Sequence, residues 1–216
     1  MRNVVFIGAT GIAKIVMEIV QSKGLPRKYN FVGIVDDNER LKGETIYKLT
    51  VLGTFEDMDD IILCRGITHA VICIPENYMN VRKNYFNKCK KSGLQMLSAV
   101  HSKAVISKDV ILGEGVIVMA GVIINAGAKI GNNVIIFSNA TVEHDCILED
   151  NVYISPGVQL GGHVVIKESA MLGIGSVVLP KRMIGEGGVV GAGAVVIDDV
   201  REGSVVVGIP AREMQQ

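Results

Sequence analysis

The residues best suited to chemistry in the second half of the chain are the triplet Glu143-His144-Asp145, in the stretch ATVEHD (140–145). Around it the sequence is built largely from Val, Ile, Ala, Gly and Asn. Histidine changes its charge near neutral pH, and a histidine beside a carboxylate is a common pairing in proton transfer. The same three residues can also be read as a solvated turn, because exposed polar side chains need no special account. The choice depends on the frame in which the triplet sits.

That frame is a repeat. From Ala104 the chain can be written in sixes, from AVISKD through ATVEHD to AVVIDD, sixteen in all. The third place is aliphatic throughout, from Ile106 through Val142 and Leu160 to Val196. The first place is mostly Ala, Val, Ser, Cys or Gly, with Arg182 the exception. This is the hexapeptide signature of a parallel β-helix. One aliphatic residue per six points inward at each flat wall, and a small residue fits near each corner. Three hexads make a coil of about 18 residues, and coils stack about 4.8 Å apart. Val142 keeps the inward beat, so the triplet interrupts nothing. His144 takes the fifth place of its hexad, near a corner and outside the core. Residues eighteen apart stack on successive coils, which puts Gly162 next to His144, with Gly161 before it and His163 after it. Gly161-Gly162 either turns a corner or leaves a backbone N–H approachable. His163 is a second ligand-facing group or an idle corner residue. Such a solenoid must cap its ends; the N-terminal domain suits one end and the tail REGSVVVGIPAREMQQ the other.

Residues 1–97 follow another rhythm. NVVFIG (3–8) reads as a strand. GIAKIVMEIVQSKG follows as a helix with Ile12, Ile15, Val16, Ile19 and Val20 on one face and Gly24 as its stop. FVGIVDD (31–37) is a second strand ending in carboxylates, and 54–66 a short helix capped by Thr54. HAVICI (69–74) is a third strand, and 77–93 a helix ended by Gly93. Alternating β and α implies a small parallel sheet with helices on its faces. The expected division is an α/β Rossmann-like domain over 1–97 and an all-β parallel β-helix over 98–216.

Composition narrows the class. The 216 residues carry 22 Lys+Arg against 22 Asp+Glu, which argues against a nucleic-acid footprint. No apolar run is long enough for a membrane span, and the N-terminus reads as strand and turn, not as a signal peptide. Cys64, Cys73, Cys89 and Cys146 show no CxxC spacing; Cys64 and Cys73 fall on core-like positions, and reduced thiols in a cytoplasmic protein are expected. His69, His101, His144 and His163 are the only histidines. A three-histidine zinc site would have to draw ligands across subunits, so no metal is expected.

GATGIAK after the first strand, IVDD after the second, VEHDC in the repeat, LGIGSVVLP and the terminal VGIPAR together resemble the bacterial sugar O/N-acyltransferases. These join an N-terminal Rossmann-like domain to a left-handed β-helix, and include UDP-4-amino-sugar N-acetyltransferases and sialic acid O-acetyltransferase-like proteins. The resemblance covers essentially the whole chain. It implies a left-handed helix, a homotrimer with active sites between subunits, and acetyl-CoA as cosubstrate. It makes His144 the general base and Asp145 the residue that orients its ring. A backbone donor falls at Gly162, whose N–H is suited to the thioester oxyanion. Ile174 and Ala192 become backbone contacts for the pantetheine arm. Lys181 and Arg182 either meet the coenzyme phosphates or are ordinary surface charge.

In the first domain, the resemblance places a UDP-sugar at the loop Thr10, Gly11 and Ile12 and at the carboxylates Asp36 and Asp37. The chain departs from the family there. Ile12 stands where a histidine is usual, Pro75 where a glycine is common, and Tyr153 replaces a second histidine found in some members. The reading implied is an acetyl-CoA-dependent N-acetyltransferase acting on a UDP-linked 4-amino-sugar. Its alternatives are a sugar or sialic acid O-acetyltransferase and a non-catalytic β-helix scaffold.

Overall fold

The computed structural model describes residues 2–22 and 29–214. The chain divides into two compact units, 1–99 and 100–216.

The first unit contains β1 (Arg2–Ile7), α1 (Gly11–Ser22), β2 (Tyr29–Val35), β3 (Thr45–Ile46), β4 (Leu49–Gly53), α2 (Met58–Arg65), β5 (Ile67–Ile72), α3 (Met79–Lys91) and β6 (Gln95–Met96). The strands form one sheet in the order β3-β4-β2-β1-β5-β6. β1 is central, and Val4, Val5, Phe6 and Ile7 are all buried. A strand covered on both faces needs such an unbroken apolar run. On α1, Ile12, Val16, Ile19 and Val20 are buried while Lys14 and Glu18 face solvent, the stripe expected at helical spacing. Gly24, expected to stop this helix, lies outside the described residues. α3 is preceded by a 3-10 turn at Glu76–Tyr78 and ends before Gly93, which takes a φ of 79°.

Three details depart from the expected pattern. The sheet is mixed, because β3 and β4 form an antiparallel hairpin. Its turn residues Tyr47 and Lys48 both adopt positive φ, 51° and 67°. Neither is the Asn or Gly that usually marks such a turn, so the hairpin left little trace in the residue types. Thr54 does not cap α2: the Asp57 carboxylate instead accepts from the Thr54 N–H at 3.0 Å, closing the turn before the helix. Cys64 is exposed, because α2 turns Met58 and Ile61 inward and leaves this residue outside; Cys73, Cys89 and Cys146 are buried and all four are free. Burial pushes the Cys89 thiol up to about 12 and the Cys146 thiol up to about 11, so neither is a nucleophile at neutral pH.

The second unit is a parallel β-helix of two-residue strands. Along one wall Ile117, Ile135, Tyr153, Met171 and Val189 are successive partners, each eighteen residues from the last. The third-place residues from Val118 to Val196 fill its interior and are at most 2% exposed. Ile106 and Leu112, on the first coil, are half-buried against that core. Arg182, the exception at the first place, sends its guanidinium outward to within 3.8 Å of Asp199. The tail closes one end: Val205–Val207 pairs with Val189 and Val190, and Arg212–Glu213 folds back on it antiparallel. The walls meet at corners where the sixth-place residue, from Gly115 to Gly193, is left-handed. At one corner Asn133, Asn151 and Ser169 form a side-chain ladder through the coils, with bonds of 2.8 and 3.0 Å. Asparagine suits this column because it tolerates left-handed backbone and bonds along the stack.

Ile136 sits in the middle of the interior column with no exposed surface. Replacing it, Ile136→Ala, should cost about 2–5 kcal/mol. Equilibrium urea denaturation checks this as a lower midpoint with an unchanged slope.

Candidate functional site

His144 and Asp145 stand at the corner between the strands Thr141–Val142 and Ile147–Leu148. Successive coils are tied there by backbone bonds: Asp145 N–H donates to Ala126 O at 2.9 Å, His163 N–H to His144 O at 3.0 Å, and Lys181 N–H to Gly162 O at 2.9 Å. Asp145, His163 and Lys181 form a left-handed column with φ of 58°, 60° and 63°, above Gly127 at 74°. These side chains therefore fan outward from one edge of the helix, coil upon coil.

The His144 Nδ1 lies 2.9 Å from the Asp145 Oδ2. A carboxylate only accepts, so Nδ1 carries the proton, and in the neutral ring the lone pair is on Nε2. The hydrogen bond from His144 is the main reason the Asp145 carboxyl is held below the usual carboxylate range; slight desolvation opposes it, and the charges of His163 and His144 add to it. Asp145 therefore remains an anion at neutral and mildly acidic pH, which supports an imidazolium on His144 when one forms. Glu143 is turned away from this pair and accepts from the Asn125 amide on the previous coil at 3.0 Å.

The imidazole rests on Gly162. A Cβ at that position would come 2.5 Å from the His144 Nε2 and 2.8 Å from its Cε1. Gly162 does not occupy the left-handed region, so the space it leaves for the ring is the physical reason for glycine. The amide of Gly162 also stands outside the inter-coil ladder, since its neighbours Gly161 and His163 make those bonds. Fifth-place amides share this property. At Glu114, Asn132 and Glu168 a side-chain oxygen takes the proton up. Gly162, Ile174 and Ala192 have no such acceptor among the described residues. The N–H groups of Ala120, Ala126, Ser138, His144, Asp150 and Glu186 lie outside the ladder in the same way; the Gly162 N–H differs in lying beside the His144 ring.

Ile174 and Ala192 stack at a different corner, between Met171–Leu172 and Val177–Val178. Ile174 is 62% exposed, and its carbonyl accepts from Gly193 at 2.8 Å. Lys181 and Arg182 share the corner of His144. The residues expected to hold a coenzyme thus divide between two corners of one chain. Tyr153 is buried on a third wall, its ring tilted against Phe137 at 5.1 Å, away from the His144 corner. His144, Asp145 and His163 are the one group of three metal-competent side chains among the described residues, but the direct Nδ1–Oδ2 bond sets two of them on each other.

In the first unit, a cavity of about 310 Å³ opens at the ends of β1, β2 and β5, with Gly8, Thr10, Asp36, Asp37, Phe55 and Tyr85 among its walls. Gly8 has a φ of 102°, and a Cβ there would meet the Cys73 carbonyl at 2.8 Å. Thr10 starts α1: its hydroxyl donates to Cys73 O at 2.6 Å and accepts from Ile12 N–H at 3.2 Å. Asp36 accepts from the Ala9 N–H at 2.7 Å, and Asp37 from the Phe55 N–H at 3.0 Å and from the Tyr85 hydroxyl. Both carboxylates brace the loops around the opening and retain lone pairs toward it. Gly11 and Ile12 are not in the wall: the Ile12 side chain is 5% exposed and packs inward. An isoleucine in place of a polar residue is therefore drawn into the core. The stacked pair Phe55 and Tyr85, with centroids 3.8 Å apart, was not foreseen. Thirty residues apart in the chain, they carry no local signal of the pairing.

Residues 3–89 match the PglD N-terminal domain, and 127–162 match the bacterial transferase hexapeptide. Among solved structures, the chain is similar to a histidine-to-alanine mutant of GDP-perosamine N-acetyltransferase from Caulobacter crescentus, in complex with CoA and GDP-perosamine. The identity is 34% over 100% of this chain and 98% of that one, with a TM-score of 0.91. It is similar to the acetyltransferase domain of PglB from Neisseria gonorrhoeae at 30% identity, covering 99% and 100% of the two chains, TM-score 0.85. WeeI from Acinetobacter baumannii matches at 28% identity, covering 99% and 100%, TM-score 0.86.

A methyl group at position 162 must displace the His144 ring. Gly162→Ala should shift the NMR Cε1–H signal of His144 while changing stability by less than about 1 kcal/mol, because an exposed ring gives way more readily than backbone.

Proposed function

The chain belongs to the bacterial sugar acyltransferases that join a Rossmann-like PglD-type domain to a left-handed hexapeptide β-helix, and from that premise we propose that it transfers the acetyl group of acetyl-CoA to the amine of a nucleotide-linked 4-amino-sugar. The observation that carries the reading is the His144–Asp145 pair at 2.9 Å, with Nε2 left as the free base over Gly162.

In this reading His144 Nε2 takes a proton from the amine as the nitrogen attacks the thioester carbonyl carbon. Asp145 holds the Nδ1 proton and stabilises the imidazolium. The Gly162 N–H receives the developing oxyanion. As the carbon–sulfur bond breaks, the proton on His144 passes to the departing thiolate. The Ile174 and Ala192 amides fit the amide carbonyls of a pantetheine arm, and Lys181 and Arg182 supply charge for the coenzyme phosphates.

We infer a homotrimer, and the placement of these groups supports an assembly of more than one copy. His144 and Ile174 stand at different corners, so one coenzyme reaches both only if two copies meet. Ile111, Ile147 and Met183 on one wall and Val105 and Ile123 on the next are exposed and flank the His144 corner. An apolar surface of this kind calls for a cover, and further copies of the chain supply it. The nucleotide-sugar belongs in the 310 Å³ cavity, with Asp36 and Asp37 accepting from base or ribose groups and Thr10 shaping the loop. UDP is the nucleotide that the family resemblance implies, and GDP is the one in the similar Caulobacter structure. The two are alternatives for the same cavity.

His144→Ala should lower kcat about 10²–10⁴-fold while calorimetry still records acetyl-CoA binding. Undiminished turnover would overturn the assignment. UDP- and GDP-linked 4-amino-sugars assayed beside sialic acid separate the nucleotides, and separate N- from O-acetylation. Failure to acetylate any of them would favour a scaffold.

A further inference from the structure

Two imidazoles face one carboxylate at the His144 corner. The Asp145 Oδ2 lies 2.9 Å from His144 Nδ1 and 3.8 Å from His163 Nε2. The two rings meet edge to face, 5.1 Å between centroids at 86°. His163 holds this place through a left-handed backbone, φ 60°, in a column that uses glycine at position 127. Its own N–H is bonded to the His144 carbonyl, which fixes its height above the first ring. We propose that His163 is a positioning residue of the transfer site, a second imidazole that shares Asp145 with His144 and so keeps His144 available as a base. The proposal rests on the reading of His144 as that base.

The argument is electrostatic. Asp145 carries one negative charge and can neutralise one imidazolium. Two imidazolium rings at this separation repel each other, so the corner accepts its second proton less readily than its first. A proton on His163 therefore makes a proton on His144 less favourable, which leaves the Nε2 lone pair of His144 more available for the amine. The surrounding charges support this. On the coil of His144 itself, Glu143 is bonded to Asn125 of the preceding coil and turned aside. On the coil following that of His163 stand Lys181 and Arg182, with Arg182 drawn toward Asp199. Lys181 occupies the next place in the His163 column and adds positive charge, which further opposes a second imidazolium. The buried Cys146 thiol, pushed up to about 11, contributes no charge at neutral pH.

The test uses the full chain carrying His163→Asn, and His163→Gln as a second variant should the first fold poorly. The NMR Cε1–H signal of His144, assigned by its loss in His144→Ala, is titrated beside the pH profile of kcat/KM for acetyl transfer. In both variants His144 should titrate at higher pH, by about half a unit for two unit charges at this distance in a water-like dielectric. The acid limb of kcat/KM should move up with it, while kcat and KM on the alkaline plateau change less than about threefold. An unchanged His144 titration, or a plateau loss without a shift, would overturn the proposal. A shifted NMR titration with an unmoved acid limb would instead remove His144 as the base while leaving the shared carboxylate in place.

Discussion

The eighteen-residue period of the backbone ladder governs everything the second unit does. Each coil hangs from the next through bonds such as His163 N–H to His144 O and Lys181 N–H to Gly162 O, at 3.0 and 2.9 Å. The period makes residue i and residue i+18 neighbours at about the strand spacing. It sets the apolar third-place residues into one continuous column, and it sets Gly162 beneath the His144 ring. Fold and site are two consequences of one register, since a slip of one residue would expose the column and part His144 from Gly162.

The corners carry the chemistry because the walls cannot. A two-residue strand turns one side chain inward and one outward, and its backbone groups are engaged in the ladder. Only the fifth-place amide is released from the ladder, and the left-handed sixth-place residue turns its side chain outward. At most corners these positions hold Gly, Asn or a side chain that bonds along the stack. At the His144 corner they hold His144, Gly162, Asp145, His163 and Lys181, a cluster of polar groups on a rigid edge. Such an edge holds a base and its partner in place without a mobile loop, which is the preorganisation that general-base catalysis rewards. In the proposed reading, the division of labour between this corner and that of Ile174 and Ala192 makes the solenoid part of a shared site.

The β-helix was open to reading because its rule is local and repeated. Sixteen aliphatic third places leave little freedom, and the neighbour of His144 follows by counting. The steric reason for Gly162 was not open to counting: spacing identifies the neighbour, but only coordinates show the ring lying on it. Glu143 was likewise ambiguous until its bond to Asn125 placed it outside the pair. In the first unit, β1 and α1 were legible from burial on two faces and from helical spacing. The hairpin of β3 and β4 was hidden because Tyr47 and Lys48 adopt positive φ against their type. Ile12 was placed at the ligand loop by its position in a motif, whereas its apolar side chain is drawn into the core. Phe55 and Tyr85 lie far apart in the chain and meet only through the fold.

The central claim is that His144 receives the proton of a sugar amine in a site built from two copies of the chain. Its most direct measurement is a crystal structure of the protein with CoA and a nucleotide-linked 4-amino-sugar bound together. The account predicts the sugar nitrogen within about 2.6–3.2 Å of His144 Nε2, or joined to it through one water, with the coenzyme lying between this corner and the Ile174 corner of a neighbouring copy. A sugar amine bound away from His144, or a coenzyme held entirely by one chain, would contradict it.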